Sequence, residues 1–459
     1  MKELVESLLK YTKINPETIS IDVFNLILLQ NKTQILEWIT SDTFKKTYKN
    51  NKYAPMFNPD TFNYLNVSPE LAWTLNMPLP PYFNFYMIAS HATGNNAMWD
   101  ALKVAGGGAE IISSQSGQAF EQYSYLYQTI LKYNNKYKFT YISLNNFVVN
   151  DENADKLYAL MPYKDAFCLF RDPISLLSSC INIQLNNPNI PRDINLTYNI
   201  DEIIKNAVAY GCGYNFNKFP NLDLIPFYVA FRYMHFNTTN FLEKLINLDM
   251  SNMLFIDTSE IVGEGIIEVL KRLSSKFNFP LDSQALELNK DRLTNQKTKY
   301  LSLIGFNLHI NDIDIHKKIN CMDNETINHK DSIIISIQND LHQKECNITE
   351  MFFKKETIKG ITISTTYEHY KKFIQNQQII KVAHGFLHKF INLILEQQKI
   401  EDSKKVDLDT IIDYLLENKT TLEYFLSTIE HYKKPLLKNN RKDIIEKWKH
   451  YAKLLEKAK

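Results

Sequence analysis

The stretch Phe167-Cys168-Leu169-Phe170-Arg171-Asp172-Pro173, continued by Ile174-Ser175-Leu176-Leu177-Ser178-Ser179, sets the reading of the fold. Four apolar residues in a row read as a buried strand. Arg171-Asp172-Pro173 stops it, and the residues that follow carry a helical pattern ending in two serines. A charged arginine at the carboxyl end of a buried strand, facing the start of a helix, is where open α/β sheets bind anionic ligands. The competing reading is an ordinary Asp-Pro helix start with Arg171 on the surface.

A second stretch upstream has the same grammar. Phe85-Tyr86-Met87-Ile88-Ala89 is an apolar strand, Ser90-His91-Ala92-Thr93-Gly94-Asn95 a short polar loop with one glycine, and an amphipathic helix begins near Asn96. Such a strand–loop–helix unit aims backbone N–H groups and a helix dipole at one spot, which favours phosphate or sulfate. Any βα connection with a lone glycine looks similar, so the two stretches carry weight together.

Working outward, residues 1–78 read as a helical N-terminal region ended by the stiff Pro78-Leu79-Pro80-Pro81. Between 79 and 295 the pattern is strand–helix alternation, which argues for a mostly parallel sheet covered on both faces. Within it, helices are expected near Ile203–Tyr210 and Pro226–Leu245, a strand over Met253–Asp257 and a helix over Glu260–Phe277. Residues 296–365 read as a mixed insert, with strands expected at Ile333–Ile337 and Ile361–Ser364. Residues 366–459 read as a helical C-terminal region with a basic tail.

The composition excludes several classes. The 459 residues carry a net charge of +1, so no global field draws the chain to nucleic acid or membrane. The five cysteines are odd in number and lack metal-ligand spacing, which points to a reducing compartment. The N-terminus has no signal-peptide pattern and no apolar run reaches a membrane span, so a cytoplasmic protein is expected.

The order of elements over residues 80–280 resembles the sulfotransferase fold, a branch of the P-loop architecture. The expected fold class is therefore α/β, with a P-loop/sulfotransferase-like sheet flanked by helices and helical extensions at both ends. In that family a Pro-Lys-Ser-Gly-Thr-Thr loop after the first strand holds the donor's 5′-phosphosulfate. An arginine after a later strand, and a serine eight residues on, bind the 3′-phosphate; Arg171 and Ser179 stand at that spacing. Gly94 aligns with the family glycine, Asn95 and Asn96 replace its hydroxyl pair, and Ala92 stands in place of the lysine. The Ser-His-x-Thr-Gly-Asn-Asn loop is similar to that of sulfotransferase-like proteins of bacterial capsule and surface-glycan loci described as sugar transferases.

The resemblance implies donor binding by Ser90, Thr93, Gly94, Asn95, Asn96, Arg171 and Ser179, with His91 or Glu110 taking the acceptor proton. It implies a transferase moving a sulfuryl, phosphoryl or phosphoramidate-type group from a nucleotide donor to a hydroxyl of a surface glycan. No cofactor, metal or nucleic acid is expected. The alternatives are a metal-independent glycosyltransferase using a sugar nucleotide and a non-catalytic nucleotide- or glycan-binding scaffold. The one paired-carboxylate spacing, Asp312-Ile313-Asp314, falls outside the sheet region. Arg192 and Lys218 could serve a donor phosphate, whereas Arg232 and His235 read as core or ion-pair residues. In the tail, Ile444, Trp448, Tyr451 and Leu455 share one helix face. That face reads as docked, with peripheral contact at the inner face of the membrane through the basic side as the sharper reading.

Overall fold

A computed structural model of the chain describes residues 21–48, 51–112, 117–145, 151–212, 215–230, 236, 242–245, 252–295, 302–311, 332–339, 344–354, 358 and 360–459. The chain forms two units. The first comprises Met1–Leu176, Tyr228–Gln296 and Asn418–Lys459, the second Leu177–Phe227 and Lys297–Glu417. The division thus differs from the boundaries at 78, 295 and 365. Residues 177–227 leave the α/β region to join the insert, and the last 42 or so residues return to the sheet.

The first unit is built on a five-stranded, all-parallel sheet. Its strands are β1 (Phe85–Ala89), β2 (Gly108–Ile112), β3 (Phe139–Asn145), β4 (Ala166–Phe170) and a fifth, Leu254–Asp257. The order across the sheet is β2-β3-β1-β4-fifth. All five residues of β1 and of β4 are buried, as strands covered on both faces require. Helices Asn95–Gly106 and Gly265–Phe277 share a core cluster with one face of the sheet. Phe85 stacks on Phe277 with centroids 4.4 Å apart and Phe139 on Phe279 at 4.3 Å. A third helix, Ala119–Tyr133, buries Tyr123 and Tyr127, whose hydroxyls donate to the carbonyl oxygens of Met77 and Tyr64. Those two bonds tie the N-terminal segment to the same body.

The C-terminal helices Lys419–Lys438, Lys442–Glu446 and Lys449–Lys457 belong to this unit. Ile444, Trp448, Tyr451 and Leu454 are buried, whereas Leu455 is 36% exposed. The docked face is therefore the one expected, with Leu454 in place of Leu455.

The second unit holds a five-stranded mixed sheet, ordered Glu345–Asn347, Thr362–Thr366, Ile333–Gln338, Phe306–Ile310 and Asp193–Asn195. The 27-residue helix Gln377–Ser403 covers it through Phe386, Phe390 and Ile394. A three-stranded antiparallel sheet contains Gln184–Asn186, Val208–Cys212 and Asn215–Asn217. The helix expected over Ile203–Tyr210 is instead a short helix, Ile200–Lys205, followed by the strand Val208–Cys212. Asn206 closes that helix by bonding back to Glu202. Likewise, the closing helix of the first unit starts at Gly265, after a 3₁₀ turn at Thr258–Ile261. Of the long helix expected at Pro226–Leu245, Ile225–Ala230 and residues 242–244 are helical; Arg232 and His235 lie outside the described residues, as do Asp312, Ile313 and Asp314.

Candidate functional site

By its strand order the sheet has a switch point between β1 and β4, the place where open α/β sheets form a ligand crevice. From β1 the chain runs towards the β2 edge, and from β4 towards the fifth strand. Adjacent strands whose connections leave in opposite directions separate at their carboxyl ends, which is where open α/β sheets take ligands. β1 and β4 are direct neighbours, paired from Tyr86–Ala166 to Ile88–Cys168. Their following loops carry His91–Gly94 and Arg171–Asp172.

The β1 loop is wound tightly. Ala92 has φ +61° and Gly94 has φ +97°, so two left-handed residues alternate within three positions. This curl is the kind of backbone in which amides converge on an anion. Gly94 is required twice over. Its φ disfavours a side chain, and a Cβ there would meet Ile261 Cδ1 at 2.5 Å. The side chains of Thr93 and Asn95 turn inward. Thr93 Oγ1 donates to Ser90 O at 2.7 Å and Asn95 Nδ2 donates to the same oxygen at 3.0 Å. Ser90, Thr93 and Asn95 are all buried, while Asn96 is exposed and His91 half-buried. The first three thus hold the loop together, and the surface it offers consists of backbone, His91 and Asn96. Burial lowers the His91 imidazole below its ordinary titration range.

Arg171 joins the two loops. Its Nη1 donates to the carbonyl oxygen of Ala92 at 2.7 Å. Its own backbone N–H donates to the hydroxyl of Tyr432 at 3.1 Å. Tyr432 is fully buried, in ring contact with Phe170, Phe236 and Trp448, and that burial drives its phenol far above the usual range. Thr258, just past the fifth strand, places Oγ1 2.8 Å from the carbonyl oxygens of both Thr93 and Phe170. One hydroxyl therefore touches the β1 loop and the end of β4 at once.

Asp172 anchors the turn from the other side. Oδ1 accepts from the N–H groups of Ile174 and Ser175, capping the Pro173–Ile181 helix. Oδ2 accepts from His450 and Tyr451, in the first turn of Lys449–Lys457. A single carboxylate thus starts two helices. Nearby, Trp448 Nε1 donates to Asp257 Oδ2 at 3.0 Å, and Arg441 Nη1 to Phe255 O at 2.7 Å, so the tail is stitched to the end of the fifth strand.

Other expected residues fall elsewhere. Glu110 pairs with Tyr141, which pairs with Phe85. That level is four residues back from Ala89, about 13 Å along the strands from the loop. Burial raises the Glu110 carboxyl, and a hydrogen bond with Ser143 partly offsets the rise. Ser179 is half-buried on Pro173–Ile181 and lies in the second unit. Arg192 is a structural clip of that unit: its guanidinium donates to the carbonyl oxygens of Ser302, Ile304 and Ala207 and lies 4.4 Å over the Phe306 ring. Lys218 is exposed, and its carbonyl accepts from Lys404 Nζ at 3.4 Å. Among the described residues no group of three His, Cys, Asp or Glu side chains could hold a metal ion, and no helix is long and apolar enough to cross a membrane. Sequence reasoning missed Thr258, Tyr432 and the second partner pair of Asp172.

Residues 255–457, somewhat under half of the chain, match the family described as "Protein of unknown function (DUF2972)". That match spans Thr258, Tyr432, Arg441, Trp448 and the His450–Tyr451 amides, the residues that support the crevice from the C-terminal side. No curated protein and no solved structure matches the chain.

Proposed function

We propose that the crevice between β1 and β4 binds the phosphate of a nucleotide-type donor, and that the protein is a transferase delivering a charged group to a hydroxyl of a surface glycan. The observation that carries the reading is the Arg171–Ala92 bond, which holds a guanidinium over a curled βα loop at the point where the sheet's connections diverge. Arginine is the side chain best suited to planar, two-pronged recognition of phosphate.

His91 is the candidate base. Burial keeps it neutral at pH 7, the state that accepts a proton. In the step proposed, the acceptor oxygen bonds to the transferred sulfur or phosphorus atom as the bond to the donor's bridging oxygen breaks. The acceptor proton passes to His91, and the nucleotide leaves with the bridging oxygen. Ala92, with its left-handed backbone, occupies the place of the lysine that would neutralise that oxygen in the resembled family, so stabilisation falls to Arg171 and the loop amides. Glu110 is left out of the step because of its distance from the loop.

The test is calorimetric titration of the full chain with adenosine 3′,5′-bisphosphate, CDP, UDP and GDP. Binding of the bisphosphate that Arg171→Ala weakens at least tenfold supports the sulfonucleotide-type donor. Binding of CDP or UDP alone moves the protein to the sugar-nucleotide class. Absence of binding by any of the four overturns the donor site.

A further inference from the structure

In the second unit, the helices Ile200–Lys205 and Gln377–Ser403 line a cavity of about 760 Å³, within the size range of sites for small organic ligands. Gly385 lies at its wall, in the interior of the long helix. Glycine is among the least favourable residues there, because it gives up the most backbone freedom and packs nothing. The fold does not explain it: a Cβ at Gly385 would meet no atom within 4 Å, and its φ is an ordinary helical one. What the glycine does is leave the helix backbone open to the cavity.

Lys381 and Lys389 stand one turn before and one turn after Gly385, on the same stripe of the helix. Lys389 pairs with Asp201 on the facing helix. Lys381 lines the cavity and has no ion-pair partner among the described residues. Between the lysines the surface is apolar, from Val382 and Phe386 on one helix and Leu196 and Ile200 at the other. With Asp201 neutralising Lys389, the cavity carries one uncompensated positive charge beside an apolar wall.

We infer that this cavity is a binding site for a small organic monoanion with an apolar body, its carboxylate or sulfonate held by Lys381 and its body laid over the Gly385 backbone against Phe386 and Leu196. A neutral apolar ligand would have no use for Lys381, and a polyanion would find only that one uncompensated charge. The site is separate from the β1–β4 crevice and does not depend on the reading of it.

The experiment is titration of the full chain with 1-anilinonaphthalene-8-sulfonate, followed by fluorescence, with octanoate as competitor. Cooperative thermal unfolding of each variant serves as the check on folding. The expected result is one saturable site from which octanoate displaces the dye. Gly385→Leu, which projects a branched side chain over the backbone where the ligand body is laid and installs a better helix former, abolishes it. Lys381→Gln raises the Kd at least fivefold, Lys381→Glu raises it further, and Lys381→Arg preserves it. Saturable binding that Gly385→Leu leaves intact, or no saturable binding at all, overturns the site. Should Gly385→Leu fail to unfold cooperatively, the Lys381 series decides: dye affinity unaltered by Lys381→Glu overturns the assignment to an anion.

Discussion

Arg171 Nη1 lies 2.7 Å from the carbonyl oxygen of Ala92, 79 residues away in the chain. The bond joins the ends of two neighbouring strands whose connections lead to opposite edges of the sheet. Arg171→Lys keeps the charge but not the planar fork. The expected outcome is a folded protein in which bisphosphate affinity falls about tenfold or more, close to the loss in Arg171→Ala. Affinity retained by the lysine variant would show that charge alone suffices.

Thr258 links the same two loops through one hydroxyl. Thr258→Val keeps the shape and removes the one O–H proton that the carbonyl oxygens of Thr93 and Phe170 share. The expected cost is about 1–3 kcal/mol of stability, read as a lowered midpoint in urea. Thr258→Ser, which retains the hydroxyl, is expected to recover most of that loss.

Gly94 and Ile261 make a steric pair. Gly94→Ala meets both the left-handed backbone and Ile261 Cδ1, and is expected to cost roughly 2–4 kcal/mol. Ile261→Val removes that terminal methyl at about 1 kcal/mol. The double variant is expected to be more stable than the sum of the single losses, because the contact is relieved while the strained φ persists. Strict additivity in the four-member cycle would refute the steric account.

Lys156 is 93% buried, with its ammonium 4.7 Å over the ring of Trp73, and burial lowers it from 10.5 to about 8. Below pH 8 the group is charged both folded and unfolded. Between pH 8 and 10.5 the folded protein releases the proton first, so stability should rise with pH, by at most about 3 kcal/mol from this group. Lys156→Met is expected to be the more stable protein at pH 7 and to lack that rise. Parallel stability–pH curves for the two proteins from pH 7 to 10.5 would contradict the assignment.

Much of the first unit could be read from local pattern. The runs Phe85–Ala89 and Ala166–Phe170 are continuous apolar stretches, Phe139–Leu144 is apolar but for Thr140 and Ser143, and each is a strand of the parallel sheet. The Ile200–Cys212 region misled, because Ile203, Ile204, Ala207 and Val208 also satisfy helical spacing. Asn206 and the strand pairing of Val208–Cys212 with Gln184–Asn186 decided otherwise, and pairing is not a local property. At the crevice, the loop and Arg171 were legible as strand ends. Burial of Ser90, Thr93 and Asn95 was not, since a polar loop reads alike whether its side chains face water or its own backbone. Tyr432 and His450 had no sequence signal at all: their partners are 261 and 278 residues away.

That separation bears on how the protein reaches its working form. Sheet strands β1 to β4 are complete by residue 170, but the carboxylate of Asp172 cannot acquire its full set of amides until Tyr451 has been synthesised. The crevice is consequently one of the last parts of the chain to mature, and a nascent or clipped polypeptide lacking the final helix would hold an assembled sheet with an unfinished mouth. The turn after β4 and the first turn of the last helix are completed by the same carboxylate.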